Sequence, residues 1–163
     1  MVEATQARFA AIDLGTNTAL MVVGEQTAEG ELCVLDDLCE TARLGEGLGR
    51  GGQLSNEARQ RTTGILEGFL ARAADLGVPR ENLRAVSTAV LRRAENTAQF
   101  LAEVRGALAL EIDVISGEEE ARLSHRAAAG ANENTIVLDV GGGSTEAVWN
   151  GGRSRESVPL GAV

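Results

Sequence analysis

The sequence predicts an α/β domain in which helices flank a mixed sheet whose first three strands run antiparallel. Three observations support this. The opening of the chain holds three short apolar runs separated by turn residues; residues 83–140 alternate short apolar runs with helical periodicity; and an apolar run ends twice in aspartate followed at once by glycine and small polar residues.

Residues 9–13, 19–23 and 32–36 read as strands, the first two joined by the turn at Gly15 and the next two by residues 25–30. Residues 44–52 carry five glycines in nine positions and are expected to form a mobile loop. Ser55 then caps a helix whose apolar residues Ile65, Leu66, Phe69, Leu70 and Leu76 follow helical spacing, and Gly77 with Pro79 ends it. Beyond it the pattern reads strand 83–87, helix 94–110, strand 112–115, helix 117–130 and strand 135–140, an alternation that implies crossovers and parallel pairing. Strands 145–149 and 153–158, joined at Asn150-Gly151-Gly152, begin a second hairpin series like the first.

The two aspartate turns align without a gap. Asp13-Leu14-Gly15-Thr16-Asn17-Thr18 matches Asp139-Val140-Gly141-Gly142-Gly143-Ser144, pairing Asp13 with Asp139, Gly15 with Gly141 and Thr18 with Ser144. Glycine and small hydroxyl residues let backbone N–H groups approach a phosphate with no Cβ in the way. A carboxylate at the strand end repels phosphate directly, but it can hold a hydrated divalent cation that phosphate oxygens share. Such turns also close ordinary hairpins; their duplication is what argues for phosphate.

Composition narrows the chemistry. With 163 residues, 44% of them apolar, and a mean hydropathy of −0.04, the chain is long enough for one ordinary core and reads as globular. The first residues lack a basic region and a long apolar stretch, so neither a signal peptide nor a membrane span is expected, and a cytoplasmic location is. Cys33, Cys39 and His125 are too few soft ligands for a zinc site, and both thiols read as packing residues. All fifteen basic residues are arginine, which excludes the lysine of a Walker phosphate loop. A net charge of −9 argues against duplex nucleic acid, and one Trp, three Phe and no Tyr argue against stacking on single strands.

Ser116 and Glu119 match a helix capping box. At about 100° per residue, Glu118, Glu119, Arg122 and Arg126 share one side of that helix, whereas Glu120 falls with Leu123, Ser124 and Ala127 on the side expected to face inward. A carboxylate placed there is either a boundary residue reaching solvent or a group whose proton affinity suits a general base. Arg92 and Arg93 are placed to grip phosphate oxygens, or simply to start a solvated helix. Glu146 either leans into the cleft beside Asp139 or is an exposed strand residue.

The stretches AAIDLGTNTALMVV, ARLGEGL, VSTAVLRRAENTAQF, IDVISGEEEARL, TIVLDVGGGSTEAVW and SVPLGAV run in order from Ala10 to Val163. In them the chain resembles the exopolyphosphatase and guanosine pentaphosphate phosphohydrolase family, within the actin, sugar-kinase and heat-shock-chaperone ATPase superfamily. The resemblance implies a ribonuclease H-like fold of the actin-like ATPase type. It implies that Glu120 is the base that activates water, and that Asp139 and Glu146 take part in holding Mg2+ and the lytic water, with Asp13 helping to place the metal. It also implies that the Gly15-Thr16-Asn17 and Gly141-Gly142-Gly143-Ser144 turns cradle phosphates and that Arg92 binds the phosphate chain.

Proteins of this kind resemble two actin-like domains with the active site in the cleft between them. Residues 1–130 are expected to form the first domain and residues 131–163 the opening strands of a truncated second. The expected activity is release of terminal phosphate from inorganic polyphosphate by in-line water attack. The alternatives are hydrolysis of the 5′-phosphate end of guanosine pentaphosphate, an ATP-dependent kinase or chaperone domain, and a non-catalytic polyphosphate or nucleotide sensor. No membrane or duplex nucleic-acid partner is expected, and a homodimer is left open.

Overall fold

Alternation of apolar residues is realised at once in the opening strands. In the computed structural model, which describes residues 7–48, 52–129 and 134–162, β1 (Ala7–Leu14), β2 (Ala19–Gln26) and β3 (Leu32–Glu40) form an antiparallel meander. β4 (Leu83–Ser87) pairs in parallel with β1, and β5 (Asp113–Val114) in parallel with β4, giving the order β3-β2-β1-β4-β5. A second sheet follows, in which β6 (Val137–Val140), β7 (Thr145–Trp149) and β8 (Ser154–Val158) are antiparallel neighbours. The mixed sheet is as expected, although the strand expected over 112–115 shrinks to two residues because Ile112 turns into the core.

Helix α1 (Asn56–Asp75) starts where Ser55 Oγ accepts a hydrogen bond from the Ala58 amide at 3.1 Å. It buries Ala58, Thr62, Leu66, Phe69 and Ala73 at helical spacing against β1 and β2 residues Ile12, Leu14, Met21 and Val23. The helix expected over 94–110 is corrected in two ways. A short helix α2 (Ala89–Arg93) precedes it, and α3 (Thr97–Leu108) starts only at Thr97. Ala94 is extended, and the Asn96 side-chain amide binds the backbone of Leu54 on both sides, donating to its carbonyl at 3.0 Å and accepting from its amide at 2.8 Å. A helix running straight through would lose both bonds.

Phe100 of α3 is fully buried in the same core. Phe100→Ala is expected to destabilise the fold by about 3–5 kcal/mol, read from denaturant midpoints at constant m-value. Leu44 and Leu48 of the glycine-rich segment are also buried, so this part of the expected mobile loop is anchored; residues 49–51 of that expectation lie outside the described residues. Among the described residues no helix is long and apolar enough to cross a membrane.

Both cysteines are exposed, against the expectation that they pack. β3 is the edge strand, and α1 covers only one face of its sheet. Cys39 lies opposite Leu20, and Asp37 opposite Val22, on the other face, where Phe9, Leu20, Val22 and Val34 are exposed as well. Cys33 sits near the outer end of the edge strand, opposite Glu25, past the irregularity at Val23 and Gly24. Helix α4 (Gly117–Ala129) packs against β6, β7 and β8, so it joins the second sheet as a layer.

Candidate active site

The two aspartate turns are built alike. In the first, the Gly15 amide donates to the Thr18 carbonyl at 2.9 Å, and in the second the Gly141 amide donates to the Ser144 carbonyl at 2.9 Å. These two amides therefore close their own turns, and Ser144, the last residue of the second turn, is buried. The two turns face each other at close range: a Cβ on Gly143 would lie 2.5 Å from Thr16 Oγ1 and 3.4 Å from the Ala89 Cβ. The first turn is braced from behind, where the Arg43 amide donates to the Asn17 carbonyl at 2.8 Å and the Gly45 amide to the Thr16 carbonyl at 2.9 Å. The second is braced by the Ala162 amide, which donates to the Gly141 carbonyl at 3.0 Å.

Behind the turns stand four carboxylates. Asp139, Glu146 and Ser157 are direct neighbours in one row across β6, β7 and β8. Ser124 of α4 donates a hydrogen bond to Asp139 Oδ2, and Ser157 donates to Glu146 Oε1 at 2.8 Å. Glu146 is 1% exposed and its Oε2 is buried with no partner among the described residues, so it is no exposed strand residue. Glu120 points inward and its Oε2 accepts from Arg92 Nη1 at 3.0 Å; the same nitrogen donates to the Ile115 carbonyl at 2.8 Å. Arg92 is thus placed at the cleft by its bond to the Glu120 carboxylate.

The charges are felt. Desolvation of its carboxyl at the strand end, and secondarily the Asp139 carboxylate, push the Asp13 pKa above the ordinary aspartate value, although the residue keeps an open surface that tempers the first effect. Glu120 is also raised, first by burial and further by Glu146 and Asp13, with the Arg92 hydrogen bond and charge opposing. A carboxyl raised in the folded state contributes stability that is present below its unfolded pKa and lost as pH rises through the folded one. Asp13→Asn is therefore expected to raise Tm at pH 8 relative to wild type, with the gain disappearing below pH ~4, where Asp13 is protonated folded or unfolded. Thermal melts of both proteins in Mg2+-free buffer across that range check it.

Asp139 pairs with Glu146 across β6 and β7 and its charge reaches Asp13, but among the described residues no three acidic, histidine or cysteine side chains close into a cage for one ion. That donor set fits Mg2+, which keeps several waters and takes one or two carboxylates together with substrate oxygens. The unpartnered Glu146 Oε2 and the mutually repelling Asp13 and Asp139 are the kind of groups a cation would satisfy.

The face of α4 differs from the sequence expectation. Ala121 and His125 are the buried residues, Glu120 and Ser124 flank them, and Leu123 and Ala127 are exposed. A three-stranded sheet offers a narrow seat, and the small Gly117, Ala121 and Ser124 fit against it while Leu123 turns away. The solvent side is as expected, with Ser116 Oγ accepting from the Glu119 amide at 3.2 Å and Arg122 paired with Glu119. Sequence reasoning assigned no site role to Ser157 or Gly117, and placed Ser124 inward without a partner. A serine two strands from an aspartate carries no local signal, because only the strand register brings it to the row.

Two alike aspartate turns and an inward glutamate thus sit on a mixed α/β fold of a five-stranded and a three-stranded sheet. The profile of the Ppx/GppA phosphatase family matches residues 22–163, and the chain belongs to that family. It is similar to the PPX-GPPA enzyme of Aquifex aeolicus, at 30% identity over 97% of this chain and 54% of that one, with a TM-score of 0.82. An exopolyphosphatase from Cytophaga hutchinsonii shares its fold, at 24% identity over 94% of this chain and 51% of that one, with a TM-score of 0.86. The ethanolamine utilization protein EutJ of Carboxydothermus hydrogenoformans shares the fold more loosely, at 23% identity over 95% of this chain and 53% of that one, with a TM-score of 0.58. The chain spans about half the length of these solved structures.

Proposed function

We propose that the protein is a magnesium-dependent phosphoanhydride hydrolase that removes terminal orthophosphate from inorganic polyphosphate. The observation that carries this is the inward carboxylate of Glu120, held by Arg92 at the cleft where the two turns meet. Mg2+, when bound near Asp13, Asp139 and Glu146, supplies charge that offsets the phosphate oxygens. The amides of the two turns and the Arg92 guanidinium orient the terminal phosphoryl group and support charge on its equatorial oxygens. Glu120 accepts a proton from water as the water oxygen bonds to phosphorus. The bond to the bridging oxygen breaks in line, and that oxygen carries its electron pair away on the shortened chain. The raised proton affinity of Glu120 suits this task. A first actin-like domain and the opening of a second remain the expected division, but α4, which packs on β6, β7 and β8, falls with the second rather than with a first domain ending at residue 130.

The test is orthophosphate release from long-chain polyphosphate, guanosine pentaphosphate and ATP, each with and without Mg2+. Release from polyphosphate that requires Mg2+ is the expected result. Release from guanosine pentaphosphate alone replaces the substrate but keeps the chemistry. Binding of polyphosphate without release from any substrate contradicts a hydrolase and favours a sensor.

A further inference from the structure

We propose that Ser157 of β8 is a positioning residue that fixes the Glu146 carboxylate, and that Gly117 at the start of α4 exists to admit it. The proposal rests on the hydrolase reading above for its activity arm. Ser157 and Glu146 are direct cross-strand partners, and the Ser157 hydroxyl donates to Glu146 Oε1 at 2.8 Å. That bond holds one oxygen and leaves Oε2 facing away, buried and without a partner among the described residues. A carboxylate that is 1% exposed and bound at one oxygen is held in place, because swinging it off the Ser157 hydroxyl would leave both buried oxygens unpaired. The hydroxyl has room only because residue 117 lacks a side chain. A Cβ there would lie 2.5 Å from Ser157 Oγ and 2.8 Å from its Cβ, and 3.8 Å from Arg92 Nη2.

The geometry ties two pieces of the site together. Gly117 opens the helix that carries Glu120 one turn later, so seating Ser157 against Gly117 sets the height of Glu120 over the row Asp139-Glu146-Ser157. At the other end of the row, Ser124 of the same helix binds Asp139. Helix and sheet are thereby registered by a hydroxyl at each end, and Ser157 is the one whose partner has an orphaned oxygen. Groups that orient a ligand in this way typically matter by about 10- to 100-fold in metal affinity or activity.

The experiment compares wild type with Ser157→Ala, Gly117→Ala, Glu146→Gln and the Ser157→Ala/Glu146→Gln double variant. Mn2+ alone is titrated into each by calorimetry, orthophosphate release from polyphosphate is measured with Mg2+, and circular dichroism melts establish that each variant folds. Ser157→Ala and Gly117→Ala are each expected to weaken Mn2+ binding about tenfold and to lower kcat about tenfold, with KM within about twofold. In the Glu146→Gln background, Ser157→Ala is expected to add nothing. Wild-type Mn2+ affinity in Ser157→Ala overturns the proposal, and so does an effect that persists undiminished without the Glu146 carboxylate. If Gly117→Ala does not fold, Ser157→Ala decides alone. A wild type that binds Mn2+ but releases no orthophosphate defeats the hydrolase reading and leaves the Mn2+ arm to judge Ser157; a wild type that does not bind Mn2+ defeats both.

Discussion

Glu120→Gln is expected to lower orthophosphate release by about 10³-fold while leaving polyphosphate affinity within a few-fold, in line with the roughly 10²–10⁴ that a positioned general base contributes. The substitution keeps the shape and a carbonyl oxygen that still accepts from Arg92, whose Nη1 stands 3.0 Å from Glu120 Oε2. What it removes is the ability to take a proton from water. The pH profile adds an independent check. Burial and the neighbouring Glu146 and Asp13 raise the Glu120 pKa, while the Arg92 bond and charge lower it. Activity is expected to rise with pH as Glu120 loses its proton, and Arg92→Gln is expected to move that rise to higher pH. Wild-type turnover in Glu120→Gln refutes the base assignment.

Gly143→Ala carries the second large effect. The added Cβ would lie 2.5 Å from Thr16 Oγ1 and 3.4 Å from Ala89, so the second turn must retreat from the first. Thr16 has little freedom to yield, because its Cγ2 packs against Gly45, where a Cβ would overlap it, and its carbonyl is bound by the Gly45 amide at 2.9 Å. Overpacking of this kind costs about 1–3 kcal/mol, seen as a lower Tm. Retreat of one turn by about 1 Å is expected to cost about 10²-fold in turnover, since both turns must hold the same phosphoryl group. Adding Thr16→Ala removes the clashing oxygen and is expected to restore part of the Tm. A Gly143→Ala protein with unchanged Tm and turnover places the two turns further apart than described.

Much of this was legible in the residues, for reasons that differ by element. The β1–β2 hairpin, α1 with its Ser55 cap and the matched turns depend on local chemistry: period-two and period-3.6 burial, a hydroxyl cap, and glycine beside aspartate. What was not legible depends on partners distant in sequence. Asn96 breaks the expected helix only because Leu54 lies beside it; Cys39 is exposed because its face of the first sheet has no covering layer among the described residues, and Cys33 because it sits near the outer end of the edge strand. The inward side of α4 was misplaced by one position, centred on Ala121 and His125, because periodicity names a face without naming the sheet it meets. Ser157 was invisible as a site residue for the same reason, since only the register of β7 and β8 brings it to Glu146.

If the facing turns gather a divalent cation and a phosphate beside Glu120, an anomalous difference map from crystals grown with Mn2+ and tripolyphosphate reveals both. The expected result is a Mn2+ peak in the cleft, coordinated by one or two of Asp13, Asp139 and Glu146 and by phosphate oxygens, with the terminal phosphorus against both the Thr16 and the Gly143 turn. A peak elsewhere, or phosphate bound away from both turns, contradicts it.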